Sequence, residues 1–193
     1  MTPPRLVLAS ASPRRREILT SLGIPFEVLV PGVEELADGP PDEMVAENAL
    51  RKARAGAALA PDAIVLGADT DVVLDGRVLG KPADEDAARE RLEALSGRTH
   101  EVLSGLAIAE PGGRERTALE RSLVTFRTLD EETLELYLTS EEWRDRAGGY
   151  AIQGLGSILI ESLQGDFSNV VGLPVGALLR MAPELSPNPK AKN

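Results

Sequence analysis

The chain has 193 residues, a length that favours one domain and buries enough apolar surface to fold without a metal or disulfide staple. It is 42% hydrophobic and 27% charged, has no cysteine and has a single histidine, so it reads as a globular protein in which disulfides, thiol nucleophiles, iron–sulfur clusters and Cys/His zinc sites are excluded. A net charge of −10 opposes binding to nucleic-acid polymers, yet leaves room for a small anion in a local basic pocket.

In chain order, Arg5 to Ala9 is a short apolar run that reads as a buried strand. Ser12-Pro13 is an N-cap and N1 pair opening a helix, with Ile18, Leu19 and Leu22 at helical spacing and Gly23 as the stop. Phe26 to Val30 is a second strand. After a Pro-rich stretch, a helix is expected from Asp42 to Leu59, then a central strand from Ala63 to Ala68 leading into Asp69, Thr70 and Asp71. Asp75-Gly76 signals a hairpin turn. Asp84 to Leu95 is a helix, Thr99 to Ala109 and Thr117 to Thr128 are two long strands, and Leu129 to Thr139 is a helix with Asp130 as its cap. AGGYAIQGLGS is expected to be irregular. Ile158 to Leu163 is a last strand and Pro174 to Met181 a last helix.

This alternation predicts an α/β fold whose central hairpin makes the sheet mixed. Residues 1–183 are expected to form one domain, with two lobes around a central cleft as an option, and 184–193 a flexible tail. The opening MTPPRLVLASASPRR has too short an apolar run for a secretory leader, and no window approaches the roughly 18 apolar residues of a membrane span. A cytoplasmic location is the default expectation.

The remaining chemistry belongs to carboxylates, lysines, arginines, hydroxyls and hard metal ions. Ser10, Ser12, Arg14 and Arg15 surround a helix N-terminus, where free N–H groups favour an anion. Arginines there oppose the helix dipole unless an anion offsets them, which tilts this turn towards a site. Asp69 stands where the central strand is expected to end, a place where a carboxylate can hold a divalent cation or accept a proton from water. Asp71 would share its face, open either to a metal contact or to solvent. Lys52 borders the apolar face of its helix, Lys81 is fixed in direction by Pro82, and Glu34 and Glu35 follow a Pro-Gly turn. Each of these alone is better read as a surface charge. Gln153 lies between glycines where backbone can approach a ligand, and its amide could read a base edge. His100 has no nucleophile motif nearby and reads as a bystander. Together, Arg14, Arg15, Lys52, Lys81, Glu35, Asp69 and Gln153 suit metal-assisted attack of water on a phosphoanhydride.

Four segments now fall into a known order: LASASPRRREIL at 8–19, GADTDVVLDGRVLGKP at 67–82, LSGRTHEVLSGLAI at 95–108 and GGYAIQGLGSILIESLQGDFSNVVGLPVGAL at 148–178. On these the chain resembles the Maf family of nucleoside triphosphate pyrophosphatases. The resemblance implies a cytoplasmic, commonly dimeric enzyme that cleaves between the α and β phosphates. The implied fold is an elongated mixed sheet flanked by helices, like that of inosine triphosphate pyrophosphatases. It also implies that Ser10, Arg14, Arg15, Lys52 and Lys81 hold phosphates. Glu35 and Asp69 would face a divalent metal (Mg²⁺ or Mn²⁺) and water, with Asp69 as proton acceptor. Arg14, Thr70 and Gln153 match the pyrimidine-selective branch, which implies dTTP and UTP as substrates rather than 7-methyl-GTP. Asp71 departs from the family, which usually carries an apolar residue there. The alternative readings are a nucleotide-binding regulator of cell division that does not turn its ligand over, or a pyrophosphatase that prefers 7-methyl-GTP or modified nucleotides.

Overall fold

The computed structural model describes residues 5–186. Its elements are β1 (Leu6–Leu8), α1 (Pro13–Ser21), β2 (Glu27–Val28), α2 (Pro41–Leu59), β3 (Ile64–Leu74), β4 (Arg77–Val78), α3 (Glu85–Leu95), β5 (Thr99–Ala109), β6 (Glu115–Phe126), α4 (Glu131–Thr139), β7 (Ile160–Gln164), α5 (Phe167–Val171) and α6 (Val175–Met181). The strands form one seven-stranded sheet in the order β2-β1-β3-β5-β6-β7, with β4 paired to β3. β2, β1 and β3 run parallel, whereas β3, β5, β6 and β7 run antiparallel, so the sheet is mixed as expected. The β3–β4 hairpin turns at Asp75 and Gly76, both at positive φ, as a two-residue turn requires.

The central strand corrects the sequence reading. β3 does not end at Ala68 but continues through Asp69, Thr70 and Asp71 to Leu74, paired with β5 as far as Val73. The strand that ends is β1: its register with β3 stops at Leu8 opposite Leu66. Beyond Leu66 no described strand pairs with the β1-side edge of β3 until Val73, the register partner of Val78 in β4. That gap in the sheet is what opens a cleft beside Asp69.

Residues 67, 69 and 71 of β3 face α2, and 66, 68 and 70 face α1 and α6, by the two-residue period of a strand. α2 lies very close to the sheet, because two glycines lie beneath it. A Cβ at Gly67 would stand 2.2 Å from the Ala49 carbonyl oxygen, and one at Gly105 would stand 2.1 Å from that of Val45. Gly105 is the register partner of Asp69. Ala49, Ala53 and Val65 pack between helix and sheet on this face, and Leu8, Leu19, Leu66, Leu106 and Leu178 on the other. A third apolar cluster, centred on Trp143, Tyr137, Phe126, Leu92 and Leu95, joins α3 and α4 to the far ends of β5 and β6.

Smaller differences have local causes. Ser12 and Pro13 occupy the N-cap and N1 positions, but the Ser12 side chain makes no cap bond, so the first turn of α1 is open. Asp130 caps α4 by accepting from the Thr133 amide at 2.9 Å. AGGYAIQGLGS holds two short 3-10 turns, Ala147–Gly149 and Gly154–Leu159. The extra helix α5 was not expected; Asp166 starts it by accepting from the Ser168 amide at 2.7 Å. At the end of the described residues Glu184 pairs with Arg116, and Leu185 is buried. The rest of that segment, 187–193, lies outside the described residues.

Candidate active site

The cleft has a volume of about 850 Å³ and receives side chains from α1, the 30–36 loop, α2, β3, Lys81 and the 145–153 segment. Its acidic centre is Asp69, 8% exposed and supported from α2. Lys52 Nζ stands 2.7 Å from Asp69 Oδ1 and 2.9 Å from Glu35 Oε1. Asn48 Nδ2 donates to Asp69 Oδ2 at 3.2 Å. Asn48 and Lys52 are four residues apart on a helix, so they present side by side, and the glycines beneath α2 bring both within reach of the strand. The Asn48 side chain also accepts from the Leu36 amide at 2.7 Å, which fixes the loop carrying Glu35. Glu34 does not line the cleft; among the described residues its main-chain oxygen accepts from Arg51 at 3.0 Å.

The basic side of the cleft lies across the β3 edge. Arg15 is buried, and all three of its donor nitrogens are used. Nε donates to the Gly172 carbonyl at 2.9 Å, one terminal nitrogen to Ser10 Oγ at 2.9 Å and the other to Thr70 Oγ1 at 3.2 Å. Thr70 Oγ1 in turn shares a 2.8 Å hydrogen bond with Ser104 Oγ, its register partner on β5. Burial pushes the Arg15 pKa below its usual value, and the nearby Asp69 charge partly offsets that. Arg14 reaches across to the Asp145 carbonyl at 3.3 Å. Arg16 is exposed to solvent and does not line the cleft. Lys81 and Gln153 are exposed residues on the cleft wall with no hydrogen-bond partner among the described residues.

Asp71 is displaced from ordinary carboxylate behaviour. Burial, and then the Asp69 charge two residues away, push its carboxyl up to about 7. Two carboxylates on one strand face thus compete for the same cationic surroundings.

The structure therefore gathers Ser10, Arg14, Arg15, Glu35, Lys52, Asp69, Thr70, Lys81 and Gln153 around one cleft. It also adds residues that sequence reasoning missed. Asn48 had a usable signal, a polar residue within the apolar stripe of Val45, Ala49 and Ala53. Ser104 and Gly172 had none, since their partners lie 34 and 157 residues away in sequence. His100 is 2% exposed, its Nε2 within 2.7 Å of the Tyr150 hydroxyl and its ring edge-on to Phe126 and Tyr150. It lies behind the cleft wall and not in it.

Comparison with known proteins shows the family. The family model described as Maf-like protein matches residues 5–185. The chain is 48% identical over 181 residues to a dTTP/UTP pyrophosphatase of Deinococcus radiodurans, covering 93% of this chain and 92% of the relative. It is 49% identical over 180 residues to one of Bacillus cereus strain G9842, covering 91% and 93%. Among solved structures, the Ham1 protein of Staphylococcus aureus aligns over 64% of this chain and 72% of its own, with 17% identity and a TM-score of 0.46. A match that runs through every strand and helix described, together with near-half identity across nine-tenths of two relatives, leads to one conclusion: the chain belongs to the Maf family.

Proposed function

We propose that this protein is a nucleoside triphosphate pyrophosphatase that hydrolyses dTTP and UTP to the nucleoside monophosphate and pyrophosphate. The observation that carries the reading is Asp69, held by Lys52 and Asn48 at the floor of a cleft whose other side is cationic. The names of the relatives, dTTP/UTP pyrophosphatases at 48–49% identity, support the substrate class.

Each Asp69 oxygen accepts one bond from α2 and keeps a lone pair free. Asp69 takes a proton from the water that attacks the α-phosphorus, and that phosphorus loses its bond to the bridging oxygen of pyrophosphate. Arg14, Arg15 and Lys81, with Ser10, stabilise the charge that grows on the departing pyrophosphate. Thr70 fixes one Arg15 nitrogen, so it sets where that charge is received. Gln153 offers an amide to the pyrimidine edge.

Among the described residues no group of three acidic or histidine side chains is placed to hold a metal, but Asp69 and Glu35, at 2.7 and 2.9 Å from Lys52 Nζ, offer carboxylate oxygens of the kind a hard divalent cation such as Mg²⁺ or Mn²⁺ takes. Asp69 and Glu35 would hold the ion, which when bound neutralises the triphosphate and polarises its phosphoryl oxygens. The reading extends to one domain over residues 1–183 and, as the family resemblance implies, to a homodimer in the cytoplasm. No helix among the described residues is long and apolar enough to cross a membrane.

Asp69→Asn retains the shape of the side chain and removes the proton acceptor. Pyrophosphate release from dTTP should fall by about 100-fold or more, with an unchanged circular dichroism spectrum. Turnover at the wild-type rate removes Asp69 from the role. A panel of dTTP, UTP, 7-methyl-GTP and purine triphosphates tests the rest; binding without product would favour the regulator.

A further inference from the structure

The segment after α4 brings a cation to the cleft that neither the sequence reading nor the mechanism has used. Arg146 lines the cleft beside Arg14. Its Nε donates to the Glu142 carbonyl at 2.6 Å, and its terminal nitrogens have no hydrogen-bond partner among the described residues. Arg14 makes a single bond in the structure, to the carbonyl of Asp145, the residue immediately before Arg146. Two guanidinium groups therefore meet where the wall built by α1 approaches the wall built by the 141–146 loop.

Neither guanidinium is paired with a carboxylate. In a chain of net charge −10, nine of the 17 arginines have an acidic partner within 4 Å; of the eight that have none among the described residues, Arg14, Arg15 and Arg146 line the cleft. The Asp145 and Glu17 charges are near enough to favour the charged Arg14, yet burial and the Arg146 charge outweigh them and push its pKa down. Asp145 adopts a φ of 57°, in the left-handed region that a residue with a Cβ rarely enters. Strain of that kind is kept where surrounding structure requires it, often at ligand clamps. Two like charges brought together with no carboxylate paired to either are unfavourable by themselves and become favourable around an anion.

We infer that Arg146 is a phosphate ligand that, with Arg14, grips the triphosphate chain from the second wall of the cleft. The inference rests on the pyrophosphatase reading and deepens it. Arg15 already donates one bond from each nitrogen, to Gly172, Ser10 and Thr70, whereas Arg14 makes one bond and the terminal nitrogens of Arg146 make none among the described residues, so these two arginines have the most donors left to offer. Anchoring Nε to Glu142 leaves the planar fork of Arg146 directed by the protein, which suits bidentate contact with phosphate oxygens.

The test measures binding of inorganic tripolyphosphate and of uncharged thymidine to the full chain and to Arg146→Ala and Arg146→Lys, with melting of each unliganded protein. Arg146→Ala should weaken tripolyphosphate about tenfold or more, leave thymidine within about twofold, and melt no lower than wild type, because it relieves the repulsion of Arg14. Arg146→Lys restores the charge but not the fork, and should recover only part of the loss. Wild-type affinity for tripolyphosphate in Arg146→Ala overturns the clamp. So does an equal loss of both ligands with a lower melting temperature, which marks a structural role. A wild type that neither binds tripolyphosphate nor cleaves dTTP overturns the pyrophosphatase reading itself, and the clamp with it.

Discussion

At the scale of single residues, the cleft and the core place opposite demands on polar groups. Asp69, Lys52 and Arg15 are tolerated in low-exposure positions because each finds specific partners. His100 is tolerated only as the neutral ring. Burial lowers its pKa to about 4, and its Nδ1 has no partner while Nε2 meets Tyr150. The folded state thus refuses a proton that the unfolded chain takes up near the ordinary value of 6.5. Stability falls as pH drops from about 6.5 towards 4 and this loss levels off below 4, reaching about 3 kcal/mol from this group. Urea unfolding of wild type and His100→Gln between pH 7 and 4 checks it. The variant still bonds the Tyr150 hydroxyl but should lack that part of the pH dependence; parallel curves for the two proteins would refute the assignment.

At the scale of elements, the site is made by α2 lying on β3 and β5. The amphipathic pattern of α2 was legible in the sequence, and so was its length to within a residue. Its distance from the sheet was not, because that depends on Gly67 and Gly105 meeting Ala49 and Val45 across the fold. Gly105→Ala forces a methyl group against the Val45 carbonyl, which cannot yield without moving the helix. It should destabilise by about 2–3 kcal/mol and lower turnover as Asn48 and Lys52 withdraw from Asp69. Urea midpoints and dTTP hydrolysis measure both effects, and a variant with normal stability and activity would show that α2 adjusts freely. The end of β3 was misread for a related reason. Asp69, Thr70 and Asp71 look like the polar close of an apolar strand, whereas their backbone continues to pair with β5 because their side chains have a cleft on one face and Arg15 and Ser104 on the other.

At the scale of the whole molecule, the cleft walls come from segments as distant as Ser10, Asp69 and Gly172. A ligand that touches them all stabilises only the fully folded chain. A non-hydrolysable dTTP analogue at about 100 times its Kd should therefore contribute about 2.7 kcal/mol and raise the melting temperature by roughly 5–10 °C, in a single transition. Scanning calorimetry with and without the analogue measures this; two separate transitions, of which one moves, would show that the walls unfold independently.

The sequence by itself determined the local matters: the α/β alternation, the hairpin at Asp75-Gly76, the helix periods and the residue types that limit the chemistry to carboxylates, cations and hydroxyls. These follow from patterns a few residues long, where side-chain period and turn chemistry act directly. Motif order also revealed the family resemblance. Tertiary structure alone decided where the sheet opens, how close α2 stands, that Asn48 and Ser104 support the site, and that Arg146 meets Arg14 from 132 positions away in sequence. Such contacts are chosen by packing between distant segments, in which the short early end of β1 and two missing Cβ atoms matter more than any local preference.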